Sequence, residues 1–279
     1  MSLKKVLFVG YGDIAQRAAR RLTEQGFLVT GVARSDKKAD SGVDIWRGSV
    51  RDQAILKRIT AEHFSAAIIT LTPDDRTESG YRDAYLANAK ALVDAWRDTN
   101  TVPGLVIFVS STAVYGQDEG EWVDELSPTE PENFRGEVML EAEQAVLQLG
   151  YCACVVRFSG IYGPGRDFLL RQVKEGKGGS PAYTNRIHAE DCAGVLSHLV
   201  SCHMQGTRLE SVYLASDSAP VSGEDVRKWL AEQLGIDLLS SADESRSLGK
   251  QCANKRLLET GYVFLYPSYK EGYASMIEN

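Results

Sequence analysis

Short apolar runs alternate with amphipathic stretches along most of the chain. Lys4 to Gly10 (KKVLFVG) is an apolar run closed by a glycine, the pattern of a parallel strand buried on both faces. Ile14 to Gln25 places Ile14, Ala18 and Leu22 on one helical face and stops at Gly26. Further strands are predicted at Phe27–Ala33, Asp44–Arg47, Ala66–Leu71 (ended by Thr72-Pro73), Leu105–Ser110 and Cys152–Phe158. A long helix is predicted over Thr77–Thr99, with Tyr81, Tyr85, Leu92 and Trp96 near one face. Another runs over Phe134–Leu149 and is closed by Gly150. This βαβα alternation predicts an α/β fold, a Rossmann-type doubly wound parallel sheet.

After about Gly165 the pattern loosens. Gly176 to Pro181 reads as a loop, and His188–Ser201 and Ser222–Leu234 read as helices with a short strand, Val212–Ala215, between them. Asp243–Ser247 is polar and reads as a loop. The expected organisation is a dinucleotide-binding Rossmann domain over residues 1–165 and a smaller C-terminal substrate lobe over most of 166–279. Segments around 185–215 are expected to return to the Rossmann core. The lobe is expected over the carboxyl edge of the sheet, where open α/β sheets bind ligands.

Composition narrows the function classes. With 279 residues, 43% of them hydrophobic, the chain can build a sizeable core. A net charge of −7 with no block of like charges argues against nucleic acid as a partner. Five cysteines form no C-x-x-C pair, which reads as reduced thiols of a cytoplasmic protein. Cys152 and Cys154 would share one face of the last strand. Four histidines, none at i,i+4 from another, argue against a metal site. The N-terminus enters a strand at once, so no signal peptide is expected, and no apolar run approaches a membrane span.

Gly10-Tyr11-Gly12-Asp13-Ile14-Ala15 is G-x-G-x-x-A, placed directly after the first strand and opening a helix. The first glycine allows the tight turn. The second lets backbone approach a pyrophosphate, and the small Ala15 lets helix and strand pack closely. The helix N-terminus offers free N–H groups and a favourable dipole. The structural alternative is a pair of glycines serving a plain turn. At the end of the second strand stand Arg34 and Ser35, with Lys37 and Lys38 nearby and Asp36 past the strand end. An acid at the strand end would bind the 2′-hydroxyl of NAD, whereas a guanidinium can pair bidentately with a 2′-phosphate. NADP is therefore expected in preference to NAD. The bland reading of Arg34 is a surface arginine beside a loop.

Ser110 to Gly116 (SSTAVYG) resembles the extended short-chain dehydrogenase/reductases, the NAD-dependent epimerase/dehydratase family acting largely on nucleotide sugars. Arg157 to Arg166 (RFSGIYGPGR), Asn185 to Asp191 (NRIHAED), Tyr213 to Asp217, Asn254 to Leu258 and Tyr266 to Tyr269 agree in order, so the resemblance covers nearly the whole chain. It implies that Ser111, four residues before Tyr115, hydrogen-bonds a substrate oxygen; the alternative is a serine capping its own turn. It implies cofactor contacts from Leu71, Thr72, Phe158 and Ile161, and a diphosphate contact from Arg186 near His188. It also implies a homodimer formed through the helices at Thr77–Thr99 and Phe134–Leu149, in which exposed Trp96 or Leu149 would be covered. Asn254-Lys255-Arg256 reads as a structural tail motif.

The family's proton-transfer pair, Tyr-x-x-x-Lys on the next helix, is missing. The matching positions are Phe134 and Val138. A slip back gives Asn133 and Glu137, and a slip forward gives Arg135 and Met139; no register restores either residue. The one literal Y-x-x-x-K, Tyr266 to Lys270, reads as coincidence. Three outcomes stay open: another group transfers the proton, the reaction needs no phenol, or the chain binds a dinucleotide without turning it over. Tyr115, Tyr162 and Asp167 are the candidate substitutes, with Ser111 and Tyr115 the residues expected at the chemistry. The sequence thus points to an epimerase/dehydratase-like oxidoreductase on a small polar substrate such as a nucleotide sugar. The alternative is a non-catalytic, redox-sensing dinucleotide binder.

Overall fold

Val6, Leu7, Phe8 and Val9 are wholly buried, and the strand they belong to lies inside a seven-stranded sheet. The computed structural model describes residues 4–38, 40–239 and 247–277. The elements through the first half are β1 (Lys5–Val9), α1 (Asp13–Glu24), β2 (Leu28–Ala33), β3 (Val43–Arg47), α2 (Gln53–Ala61), β4 (Ala66–Ile69), α3 (Glu78–Tyr81), α4 (Asn88–Thr99), β5 (Leu105–Ser111), β6 (Glu119–Val123) and α5 (Phe134–Leu147). There follow β7 (Ala153–Phe158), β8 (Gly160–Tyr162), α6 (Phe168–Lys174), β9 (Tyr183–Thr184), β10 (Arg186–His188), α7 (Ala189–Met204), β11 (Val212–Ala215), β12 (Val221–Ser222), α8 (Gly223–Leu234), β13 (Gly249–Cys252), α9 (Lys255–Glu259) and α10 (Tyr269–Ile277). Of the polar stretch Asp243–Ser247, residues 243–246 lie outside the described residues.

The chain divides into two units. Unit one is Met1–Val114, Pro131–Arg157 and Ala193–Tyr213; unit two is Tyr115–Glu130, Phe158–Cys192 and Leu214–Asn279. Residues 115–130 and 158–165 thus belong with the later chain, and the returning segment is 193–213 rather than 185–215.

The large sheet has the order β11-β7-β5-β4-β1-β2-β3. The pairs β1–β2, β2–β3, β1–β4 and β4–β5 are parallel. The order reverses beside β1, as in a doubly wound sheet. Burial explains the strands: all four residues of β4 and all six of β7 are buried, which fits strands covered on both faces.

Three local departures from the sequence expectation have identifiable causes. The helix expected over Thr77–Thr99 is helical from Glu78 but passes through a π-helical turn at Arg82–Ala87. Trp96, expected to be exposed, is 1% exposed and belongs to the core of unit one, so it offers no face to a second copy. Cys152 precedes β7 in a 3₁₀ turn that begins at Gly150 (φ +69°), so it does not share a strand face with Cys154.

Unit two holds a four-stranded sheet in the order β12-β9-β13-β6 and the parallel pair β8–β10. Its core gathers Tyr162, Leu170, Val173, Val226, Leu230, Tyr269 and Tyr273. Asp191 is wholly buried and ties in the segment before α10: its carboxylate accepts the Tyr262 hydroxyl (2.8 Å) and the N–H groups of Leu265 (2.8 Å) and Tyr266 (2.9 Å). Asn254 donates to Ser216 O (2.9 Å) and Arg256 pairs with Glu125 (3.7 Å), so the Asn-Lys-Arg segment is anchored within unit two.

Candidate active site and dinucleotide turn

The glycine turn separates two demands. Gly10 has φ +90°, and a Cβ there would stand 2.9 Å from Thr70 O and 3.2 Å from Leu71 Cδ2. The protein's own backbone therefore requires this glycine. Gly12 has φ −88°, and nothing lies within 4 Å of where its Cβ would be. The fold does not require a glycine at that position, and the space where a side chain would stand is open. Gly12 is also the N-cap of α1, and no side chain caps the helix. The first-turn N–H groups of Asp13, Ile14 and Ala15 are the donors a pyrophosphate needs. Ala15 is wholly buried, Ile14 is buried, and Asp13 turns along the helix to pair with Arg17 (2.8 Å). These residues fit a dinucleotide. Tyr11 of the turn lays its ring on β2, where a Cβ on Gly31 would come 2.6 Å from Tyr11 Cδ2. Burial pushes its phenol up to about 12.

At the end of β2, Arg34 forms a bidentate pair with Asp74: Nη1 to Oδ2 at 2.5 Å and Nη2 to Oδ1 at 2.6 Å. Asp74 follows β4 and was not expected at this site. Asp36 is held by Arg47 at 3.0 Å. Ser35 and Thr72 are exposed, while Leu71 is half-buried over Gly10.

Ser111 closes β5. Its Oγ accepts the Ala113 N–H (3.2 Å), so the serine caps its own turn while its hydroxyl proton stays available to a further acceptor. The next helix, α5, is started by Asn133, whose side chain accepts the N–H groups of Arg135 and Gly136. Phe134 packs edge-on against Tyr81 (5.6 Å), Val138 is wholly buried, and Met139 is 4% exposed. Behind this helix the buried Glu143 carboxylate accepts from Ser110 Oγ (2.5 Å) and pairs with Arg157 (2.6 Å). This trio joins β5, α5 and β7. Asn88, at the end of the π-helical turn, donates to Asp83 O and Ala84 O (both 2.9 Å), and its Oδ1 is buried with no partner among the described residues.

The remaining candidates lie in unit two. Tyr115 is 2% exposed and donates to Asp124 O at 2.7 Å, so its proton is held by a backbone carbonyl. Tyr162 is buried between His188 (5.2 Å) and Tyr273 (4.5 Å), and burial, with Asp217 next in effect, pushes its phenol far up. Asp167 precedes α6 and pairs with Arg171 (3.6 Å). Phe158 is buried, and Ile161 sits in β8 opposite Ile187. Tyr266 of the literal Y-x-x-x-K packs against His188 with ring centres 4.0 Å apart and tilted by 51°, while Lys270 is exposed.

Arg186 is 7% exposed. Its Nη2 donates to Thr184 Oγ1 (2.6 Å), and its Nη1 is buried without a hydrogen bond among the described residues. It lines a cavity of about 270 Å³ with Arg227, Thr184, Ser180, Gly178 and Gly179. A second buried titratable group, Asp217, lies beside it in space: Asp217 N donates to Arg186 O (2.7 Å). Burial raises the Asp217 carboxyl to about 7. Nothing in the sequence singles out Arg227 of α8, and Asp217 enters there only as the end of the stretch Tyr213 to Asp217, because the surroundings of both come from distant parts of the chain. Among the described residues no group of three or more His, Cys, Asp or Glu is placed to hold a metal ion, and no helix is long and apolar enough to cross a membrane.

Comparison with known proteins decides the family, because residues 4–222 match the RmlD substrate binding domain. The chain belongs to that family, within the extended short-chain dehydrogenase/reductases. A solved protein from Methylobacillus flagellatus named as an NAD-dependent epimerase/dehydratase is 35% identical, with a TM-score of 0.85 over 99% of this chain and 98% of that one. MoeE5 in complex with UDP-glucose and NAD shares the fold at 20% identity (TM-score 0.80, 98% and 97% covered). So does the human epimerase family protein SDR39U1, isoform 2, with NADPH, at 21% identity (TM-score 0.78, 99% of each chain). No curated protein matches the sequence.

Proposed function

We propose that the chain is an NAD(P)-dependent, epimerase/dehydratase-like oxidoreductase acting on a small polar substrate with an anionic group, such as a nucleotide sugar. The observation that carries this reading is the open Gly12 position at the uncapped start of α1. When bound, a nicotinamide supplies hydride exchange with a hydroxyl-bearing carbon. Ser111 contributes a hydroxyl proton that can polarise a substrate oxygen. Arg186, with an unbonded buried nitrogen in a cavity shared with Arg227, is suited to a phosphate or diphosphate. The UDP-glucose held by MoeE5 supports that substrate class. Arg34 supports NADP(H) as the preferred cofactor. Five cysteines, none in a disulfide among the described residues and four of them buried, support a cytoplasmic setting. A homodimer through α4 and α5 is the expected assembly, now resting on their outer faces without Trp96.

One specific observation favours a second reading, a dinucleotide-binding regulator without turnover. No register of α5 supplies a tyrosine or a lysine, and Val138 and Met139 are packed into the core. A single experiment separates the two. The purified chain is titrated with all four nicotinamide dinucleotides, then incubated with a panel of sugar nucleotides while reduced cofactor and sugar products are followed. Binding with turnover that falls in Arg186→Met supports the enzyme. Binding with no turnover across the panel favours the regulator. Failure to bind any dinucleotide removes both.

A further inference from the structure

The arginine expected to choose the cofactor is already occupied. Arg34 presents both terminal nitrogens to Asp74, forty residues away in sequence, in a fork-to-carboxylate pair at 2.5 and 2.6 Å. That is the geometry by which a guanidinium holds a phosphate. Both side chains are exposed, and each shifts the other: Arg34 is pushed up mainly by its hydrogen bond to Asp74, and Asp74 is pulled down by the same bond. The nearest alternative acid, Asp36, is engaged by Arg47 (3.0 Å). The end of β2 therefore offers neither a free acid for a ribose hydroxyl nor a free guanidinium for a phosphate.

We propose that Asp74 is a resident competitor for the 2′-phosphate of NADP(H), holding the Arg34 fork until a phosphorylated ribose displaces it. The proposal rests on the reading that the Gly10–Ala15 turn binds a nicotinamide dinucleotide. A ribose without the phosphate leaves the pair in place. A ribose with it must exchange one oxyanion for another on the same fork, with the displaced carboxylate still nearby. Asp74 thereby sets how far Arg34 can favour NADP(H) over NAD(H). An exposed pair holds weakly, so the exchange is easily reversed.

The test measures dissociation constants for NADPH and NADH on the wild type, Asp74→Asn, Arg34→Met and the double variant. Asp74→Asn is expected to tighten NADPH by roughly two- to fivefold, in line with the strength of an exposed ion pair. NADH affinity is expected to stay the same, and the tightening is expected to vanish when Arg34 is methionine. Unchanged NADPH affinity in Asp74→Asn, equal tightening of both dinucleotides, or the same tightening without Arg34 overturns the proposal and leaves the dinucleotide reading standing. If neither dinucleotide binds any variant, that reading falls and the proposal falls with it.

Discussion

Gly136 lies directly against the carbonyl of Ala113: a Cβ on Gly136 would stand 2.3 Å from Ala113 O and 2.4 Å from Pro131 Cβ. The approach fixes the first turn of α5 against the turn that follows Ser111. Gly136→Ala is therefore expected to cost stability despite alanine's better helix propensity. An overpacked site of this kind costs about 1–3 kcal/mol. Urea unfolding of the two proteins measures it, and a variant as stable as the wild type would show that the helix shifts freely.

Glu143 and Arg157 form an ion pair that is almost wholly buried, at 1% and 5% exposed. Removing one partner strands the other charge, at about 3–5 kcal/mol. Glu143→Leu is expected to lose that much by chemical denaturation, whereas Glu143→Leu with Arg157→Met is expected to recover part of it. A double variant no better than the single one would contradict this account.

Asp217 gives a pH signature. Burial raises its carboxyl to about 7, with Asp191 and Glu271 adding to the rise and the Ala219 N–H and Arg186 opposing it. The folded chain therefore holds this proton to higher pH than the unfolded chain does. Stability contributed by the neutral acid is full below the ordinary aspartate range and is lost as pH rises towards 7. The loss is on the order of a few kcal/mol. Asp217→Asn is expected to flatten the fall in unfolding free energy between pH 5 and pH 8. An unchanged slope would place the titration elsewhere.

The α5 face predicts weak chemistry. With Phe134 and Val138 where a tyrosine and a lysine are expected, oxidation of simple alcohols is expected to lag ordinary family members by roughly two to four powers of ten, the worth of a positioned acid/base. Steady-state rates check this; turnover within tenfold of those enzymes, lost in Ser111→Ala but kept in variants of Tyr115, Tyr162 and Asp167, would require a base elsewhere. Val138→Lys is not expected to restore activity. Val138 is wholly buried, and an ammonium there would cost folding stability instead.

The parts legible in the sequence are those where local geometry restricts residue choice. Gly10 is demanded by a positive φ and a neighbouring carbonyl, and Ala15 by close packing, so the turn could be read from the spacing of its residues and their place between a strand and a helix. The strands buried on both faces, such as Ala66–Ile69, announce themselves as unbroken apolar runs. The pairs that now matter most are separated in sequence. Arg34 and Asp74 lie forty residues apart, and Ser110 and Glu143 thirty-three. Each looks like an ordinary surface charge or helix polar position until the fold joins them. The π-helical turn at Arg82–Ala87 hardly disturbs the helical period, so it too was hidden. In unit two, strands such as Tyr183–Thr184 and Val221–Ser222 are too short to show alternation.

The carboxylate of Asp191 waits for partners supplied more than seventy residues later, at Tyr262, Leu265 and Tyr266. During synthesis, a nascent chain that has emerged only as far as residue 250 carries that acid without its three donors, and a buried charge in that condition is costly. Unit two, assembled from three separate stretches of chain, therefore closes late, after the ribosome has delivered residue 266. Unit one is delivered earlier: its stretches 1–114 and 131–157 come long before residue 266, and its last stretch, 193–213, also precedes it, so the glycine turn has its own unit to fold into first.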